Sequence, residues 1–496
     1  MSFFSKRGKM PRNSYSKRGK MSGFNNKNGA KLEIVNFYIY YISKEGDIMF
    51  RFCEQKINEW LSNKNNSLLI TGARQVGKTY IIRDVLKKNN IPYFEINFFD
   101  RPDILEVLKG INNTKEFIER IRLYSPTTLE EGKSVIFFDE IQEFPEIITK
   151  IKFLVDEGSF KYILSGSLLG VELKNIRSVP VGYMEEIKMY PMNFAEFLIS
   201  LNVKQETLDY LVECFKNLKP IDSLIHDKIM NLFHYYLVTG GMPKVVSTFI
   251  ETKNLYRVDE EQKNIINQYK ADFSKYEVID KKLRILSIYD NIASQLNKQN
   301  LKFIFTYLNK NLKFDRYENS FLWLKDAGVA YPTYIVNEVK SPLIMSKDKN
   351  TFKLFYNDVG LLVANYPFST KMDIINNNET KVNKGALYEN FVAQELVSNE
   401  LTPYYFKNSK IGEIDFLVET DLSLNVLEIK SGKEYKKHAA INNLLKDNSE
   451  LKNNYVFGPC NIEKCDRITY LPIYLVGLIK NEERKDYFID LNIDSI

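Results

Sequence analysis

SLLITGARQVGKTY, residues 67–80, decides how this 496-residue chain is read. A short apolar run, Leu68-Leu69-Ile70, leads into a loop bounded by Gly72 and Gly77, and Lys78-Thr79 follow at once. That is the G-x-x-x-x-G-K-[ST] pattern, with an apolar strand before it and the helical stretch KTYIIRDVLKK after it. The chemistry needs each part. Glycines let backbone N–H groups turn inward around phosphate, and the start of the helix adds its dipole. Lys78 reaches the β- and γ-phosphates, and the Thr79 hydroxyl ligates Mg²⁺. The expected nucleotide-binding set is Gly72, Ala73, Arg74, Gln75, Val76, Gly77, Lys78 and Thr79, with ATP and Mg²⁺ as its ligands.

A second stretch fits the first. In VIFFDE, 135–140, four apolar residues precede Asp139-Glu140, so two carboxylates emerge at the carboxyl end of a buried strand. Ligands bind at that end of an open α/β sheet. Asp139 is placed to hold Mg²⁺ through water, and Glu140 to orient or deprotonate the attacking water. Ser165 or Ser167, ending the next strand, either senses the γ-phosphate or is an ordinary strand-end serine.

Outward from these stretches, strand and helix alternate. IPYFEINF (91–98), SVIFFDE (134–140), KYILSGS (161–167) and EEIKMY (185–190) read as strands apolar on both faces, which predicts a parallel sheet covered on two sides. Residues 200 to about 300 read as helical. The stretch 302–336 reads as two helices and a short hairpin, a winged-helix outline whose Lys302, Lys310, Lys313 and Arg316 suit phosphate contact. A last α/β segment runs from about 350 to 480.

Composition narrows the classes. Hydrophobic residues make up 44% and charged residues 27%, as in ordinary globular chains, and no uninterrupted apolar run is long enough to cross a membrane. Cys53, Cys214, Cys460 and Cys465 have neither the number nor the spacing of a disulfide framework or zinc site. A cytoplasmic location is the expectation. Nine of the 69 Lys and Arg residues lie in positions 1–31, which contain no acid and repeat SKRGKM twice; the rest holds 60 basic against 63 acidic residues. Any nucleic-acid surface on the body is therefore local. The segment 1–48 is expected to be a disordered basic tail, and initiation at Met21 or Met49 is an alternative account of it.

The ordered series GARQVGKTY, FFDEIQEFP, ILSGSLLGV, MYPMNFAEFL, LVTGGMPKVV, KLFYNDVGLL, KGALYENFVAQEL and GEIDFLVE resembles one family from residue 49 nearly to the end. It is that of the AAA-type ATPases of the AAA_14 and DUF4143 kind. The resemblance implies a P-loop ATPase core (49–200), a helical lid (201–275), a winged-helix-like module (276–345) and a restriction-endonuclease-like α/β domain (346–485). Many relatives carry AGR before the YP motif, where this chain reads VPVGYMEEIKMYP. Arg177 nearby is either a replacement arginine finger or a surface residue.

The C-terminal domain offers its own constellation. Asp415, then Glu428-x-Lys430, looks like the PD-(D/E)XK nuclease pattern, in which carboxylates converge on Mg²⁺ and a lysine orients water. Glu428 and Lys430 share one strand face, with Leu427 and Ile429 on the other. Strict alternation puts Ile414, Phe416 and Val418 on one face and Leu417 on that of Asp415. An unpaired carboxylate there is costly, so a metal or a lysine partner is expected. The upstream acid is Glu389 or Glu395, which cannot both reach the site, and the resemblance favours Glu389. Two readings stay open: an ATPase that drives DNA binding or DNA processing, with Asp415, Glu428, Lys430 and Glu389 catalytic beside Glu140, or a regulatory switch whose last domain only binds. DNA and a second copy of the chain are the partners in view.

Overall fold

The computed structural model describes residues 49–63, 65–167, 182–273, 279–298, 317–378 and 383–481, together with Pro180 and Phe303. The basic tail, Arg177 and the lysines and arginine of the winged-helix outline lie outside the described residues.

Strands β1 (Ser67–Gly72), β2 (Tyr93–Asn97), β3 (Val135–Asp139), β4 (Lys161–Gly166) and β5 (Met184–Met189) form one sheet in the order β2-β3-β4-β1-β5, and every pairing is parallel. Successive residues feed two cores. Leu68, Ile70, Val135, Phe137 and Ile163 pack on one face, while Leu69, Ile136, Phe138 and Leu164 pack on the other. Apolarity on both faces holds for β1, β3 and β4 alone. On the edges, β2 alternates buried and half-buried residues, and β5 exposes Glu186 and Lys188 while burying Ile187 and Met189.

Six helices follow among the described residues: Phe194–Ser200, Gln205–Asn217, Ser223–Thr239, Pro243–Thr252, Leu255–Phe273 and Ile279–Leu296. Beyond the helix Glu318–Asp326 come β6 (Ala330–Val336), β7 (Lys347–Tyr356), β8 (Tyr404–Asn408), β9 (Gly412–Glu419), β10 (Leu424–Ile429), β11 (Asn453–Gly458), β12 (Glu463–Cys465) and β13 (Ile468–Pro472). They build an eight-stranded mixed sheet in the order β12-β13-β11-β10-β9-β8-β6-β7. The boundary expected at 345/346 therefore cuts between two hydrogen-bonded strands. β6 pairs antiparallel with β7 and parallel with β8, so this hairpin is the edge of the C-terminal sheet.

A second difference lies in β9. Ile414 packs in the same core as Leu417, whereas Phe416 and Val418 pack in the other, contrary to strict alternation. The pairing of β8 with β9 shifts register between Tyr404 and Phe406, and a bulge of that kind re-aims the residues it spans. Asp415 sits at this irregularity.

Four of the stretches that carry the resemblance, MYPMNFAEFL, LVTGGMPKVV, KLFYNDVGLL and KGALYENFVAQEL, meet at one buried junction. Met192 N–H donates to Gly241 O at 2.6 Å, Tyr236 OH donates to Met192 O at 2.5 Å, and Gln394 Nε2 donates to Tyr236 OH at 2.8 Å. Asp358 accepts from Gly241 N at 2.5 Å and from Leu361 N at 2.9 Å. The backbones come too close for side chains: a Cβ on Gly241 would lie 1.8 Å from Met192 O, and one on Gly360 would lie 2.4 Å from Thr239 O. Glu395, on the helix Lys384–Ser398, accepts from Phe194 N at 2.9 Å. The ATPase sheet, the helical segment and the C-terminal sheet are thereby packed as one body.

Candidate functional site

The phosphate loop joins β1 to the helix Lys78–Lys88. Gly72 has φ +146°, and a Cβ there would lie 2.3 Å from Met189 O on the neighbouring strand, so the tight turn out of β1 admits glycine only. Gly77 is left-handed at φ +93°. Between them Arg51, which is buried, donates to Val76 O and to Tyr190 O, both at 2.6 Å, and to Glu196 Oε1 at 3.2 Å. Arg51 thereby holds the Val76 carbonyl in place where the loop turns into the helix. Arg74, Gln75, Gly77, Lys78, Thr79, Tyr80 and Glu140 line that pocket, about 150 Å³ in volume.

Lys78 Nζ folds back onto its own loop, donating to Gly72 O at 3.0 Å and Ala73 O at 2.9 Å. Burial lowers its pKa to about 8, against the pull of Glu140 and Asp139. Asp139 is buried: Thr79 Oγ1 donates to its Oδ2 at 3.0 Å, Asn97 Nδ2 to the same oxygen at 3.2 Å, and the Ser165 hydroxyl to Oδ1. Burial pushes the Asp139 carboxyl above the usual range, opposed by the Ser165 hydrogen bond. Glu140 is left-handed at φ +55°, a backbone state that costs a non-glycine residue about 1 kcal/mol or more and clusters at functional sites. Gln142 Nε2 donates to its Oε2.

These residues fit a Mg²⁺-nucleotide. The cradle accepts no Cβ at Gly72, and Thr79 and Asp139 already stand within hydrogen-bond reach of each other. Of the two serines, Ser165 is the one bonded to Asp139, while Ser167 accepts from Arg74 Nε at 3.4 Å.

The loop is also tied to the helix Leu255–Phe273. Arg74 pairs with Asp272 at 2.5 Å, Gln75 Nε2 donates to Gln268 Oε1 at 2.6 Å, and Tyr269 OH donates to Arg74 O at 3.1 Å. Nothing local in the sequence signals these contacts. Asn97 and Arg51 are equally hidden, because Asn97 acts on Asp139 and Arg51 on the loop, each from another segment.

In the C-terminal domain the structure brings Glu389, Asp415, Glu428 and Lys430 together. Lys430 Nζ pairs with Glu428 Oε1 at 2.7 Å, and Asp415 Oδ2 accepts from Ile429 N at 2.8 Å. Burial raises the Glu428 and Glu389 carboxyls to about 8 each, and lifts that of Asp415 as well. Glu395 points elsewhere, into the junction with Phe194. Two further residues join the cluster. Lys353 on β7 pairs with Glu389 Oε2 and with Glu413 Oε1, both at 2.8 Å. Glu413 lies two residues before Asp415, and that spacing was its signal; for Lys353 the signal was a lone lysine inside the apolar run FKLFY. Among the described residues, no group of three or more His, Cys, Asp or Glu side chains is placed to hold a metal ion.

A parallel sheet with a glycine-bounded phosphate loop and a strand-end Asp-Glu pair defines a P-loop ATPase core. Residues 64–198 match the family model AAA_14, an AAA domain, and 384–476 match DUF4143, a domain of unknown function. Residues 230–371 match a further domain of unknown function, DUF8612. The chain belongs to the AAA-type P-loop ATPases of the AAA_14 and DUF4143 family. No curated protein matches it. Solved structures similar to it include the Walker-type ATPase paby2304 of Pyrococcus abyssi, at 18% identity over 65% of this chain and 97% of that one, TM-score 0.41. Cdc6p from Pyrobaculum aerophilum is 12% identical over 67% and 96%, TM-score 0.27. Drosophila ORC bound to DNA is 14% identical over 67% and 97%, TM-score 0.25. No helix among the described residues is long and apolar enough to cross a membrane.

Proposed function

We propose that this ATPase uses Mg²⁺-dependent binding and hydrolysis of ATP to bias its helical segment and C-terminal domain, and that the C-terminal domain is the part that engages DNA. Thr79 and Asp139 would hold the ion, which supplies charge to neutralise the phosphates. Lys78 must leave the Gly72 and Ala73 carbonyls to meet the phosphates, and Glu140 must leave Gln142 to orient the attacking water.

The observation that carries the reading is the tie from Arg74, Gln75 and Arg74 O to Asp272, Gln268 and Tyr269. From there a continuous set of contacts leads away from the loop. Asn357 Nδ2 donates to Tyr269 OH at 3.4 Å, and the next residue, Asp358, is the acid bonded to Gly241. Farther along the same helix Gln262 donates to Val238 O and Thr239 O, and Asp259 pairs with Lys371 at 2.7 Å. The helix Lys384–Ser398 then joins the junction, through Gln394 and Glu395, to the cluster, through Glu389.

A second reading, in which the C-terminal domain cleaves DNA, is favoured by the convergence of Glu389, Asp415, Glu428 and Lys430. ATP turnover and Mg²⁺-dependent nicking of a plasmid, measured side by side with and without DNA, test both. Turnover that responds to DNA without nicking supports the first reading, and nicking abolished by Asp415→Asn supports the second. An absence of turnover in the parent would remove the proposal altogether.

A further inference from the structure

The residues of the C-terminal cluster do not fit a divalent cation. We propose that the Lys353 ammonium is a built-in cation, standing where a metal would bridge the carboxylates and leaving the domain a metal-independent binding module. The inference goes beyond the ATPase reading and depends on a different set of residues.

The geometry carries it. Lys353 Nζ lies 2.8 Å from Glu389 Oε2 and 2.8 Å from Glu413 Oε1, and the side chain is 1% exposed. It also stands 5.2 Å from the Tyr405 ring centroid, a cation–π distance. Three of the remaining acceptors are taken up in turn, while Glu428 Oε2 is buried without a hydrogen-bond partner. Glu413 Oε2 accepts from Lys407 at 2.6 Å, Asp415 Oδ2 from Ile429 N, and Glu428 Oε1 from Lys430. Four carboxylates thus face three ammonium groups, which leaves little net negative charge for a divalent ion. Mg²⁺ also demands near-ideal octahedral geometry with oxygen ligands at about 2.0–2.1 Å. To bridge Glu389 and Glu413 it would have to displace a buried ammonium that is enclosed by the sheet.

Charge logic alone explains why the lysine is there. Several carboxylates gathered in a low-dielectric site repel one another unless a cation is fixed among them. A metal is one solution, and a lysine reaching in from the edge strand β7 is another. The lysine needs no ion from solution.

The test is Mn²⁺ titration of the nucleotide-free full chain, followed by electron paramagnetic resonance, on the parent and on Asp415→Asn. The expected result is no bound Mn²⁺ that depends on Asp415. A Mn²⁺ ion bound by the parent and lost in Asp415→Asn would overturn the proposal. In parallel, Lys353→Met should lower the melting temperature by about 5–10 °C, because removing one partner strands buried charge. Adding Glu389→Gln should restore at least half of that loss. If Lys353→Met melts with the parent, or if Glu389→Gln restores nothing, the lysine does not neutralise the cluster. Where Lys353→Met alone fails to fold, the double variant and the parent's titration still decide. No nucleotide is present, so the outcome is separate from any failure of ATP-driven coupling.

Discussion

Arg74, inside the phosphate loop, and Asp272, near the end of the helix Leu255–Phe273, lie 198 positions apart and form an ion pair at 2.5 Å. Asp272 is buried while Arg74 remains partly exposed at the pocket. An arginine that lines a phosphate pocket yet is held by a carboxylate on another segment has two possible partners. Competition between phosphate and Asp272 for this arginine would couple filling of the pocket to the helix.

That competition gives the first prediction. Asp272→Asn should free Arg74 and tighten ATP binding by about 3–10-fold, the scale of one charge-assisted contact. Calorimetric titration of ATP against parent and variant measures it. Weaker binding by the variant would show that Asp272 holds Arg74 ready for phosphate instead of away from it.

The two charged groups of the pocket divide the work. Lys78→Ala should weaken ATP binding by about 100-fold or more, whereas Glu140→Gln should keep affinity within a few-fold and lower turnover by about 100-fold. Filter binding and a phosphate-release assay separate the two effects. Lys78→Ala binding ATP as tightly as the parent would refute the phosphate-loop assignment.

Lys78 also sets a pH dependence. Its pKa is lowered to about 8 by burial, and only the protonated form attracts phosphate. ATP affinity should therefore be level below pH 8 and fall about tenfold per pH unit above it. A dissociation constant unchanged between pH 7 and pH 10 would mean that the lysine does not carry the binding.

At the junction, Glu395 offers a stability test with a defined sign. Burial raises its folded pKa to about 8, above the ordinary 4.5, so its favourable contribution is complete below pH 4.5 and is lost as pH rises to 8. Across that window a fully buried group costs about 1.4 kcal/mol per pH unit. Glu395→Gln keeps an acceptor for Phe194 N and removes the titration, so its stability relative to the parent should rise from pH 5 to pH 8. Denaturant unfolding at the two pH values would show a constant difference if Glu395 were not held neutral.

How much of this was legible in the sequence depended on range. The strands β1 to β5 and the phosphate loop were readable because apolar periodicity and glycine spacing are local signals. Asp139, Glu140 and Thr79 could be placed on them before any contact was known. The meeting of Gly241 with Met192 and of Gly360 with Thr239 was not readable, since close backbone approach between distant segments leaves only an unexplained glycine. Lys353 was missed for a similar reason: its partners follow from the register of a sheet whose strand order is not sequential. Strict alternation misled at Ile414, where a shift in pairing overrides the two-residue period.

The central claim is that nucleotide in the loop is felt along the helix Leu255–Phe273 and beyond it. Hydrogen exchange followed by mass spectrometry, with and without Mg²⁺-ATP in the Glu140→Gln background, tests it most directly. Changed protection is expected in Leu255–Phe273 and in Lys384–Ser398, much reduced when Asp272→Asn is added. Protection that changes only within residues 64–198, and equally in both proteins, would contradict it.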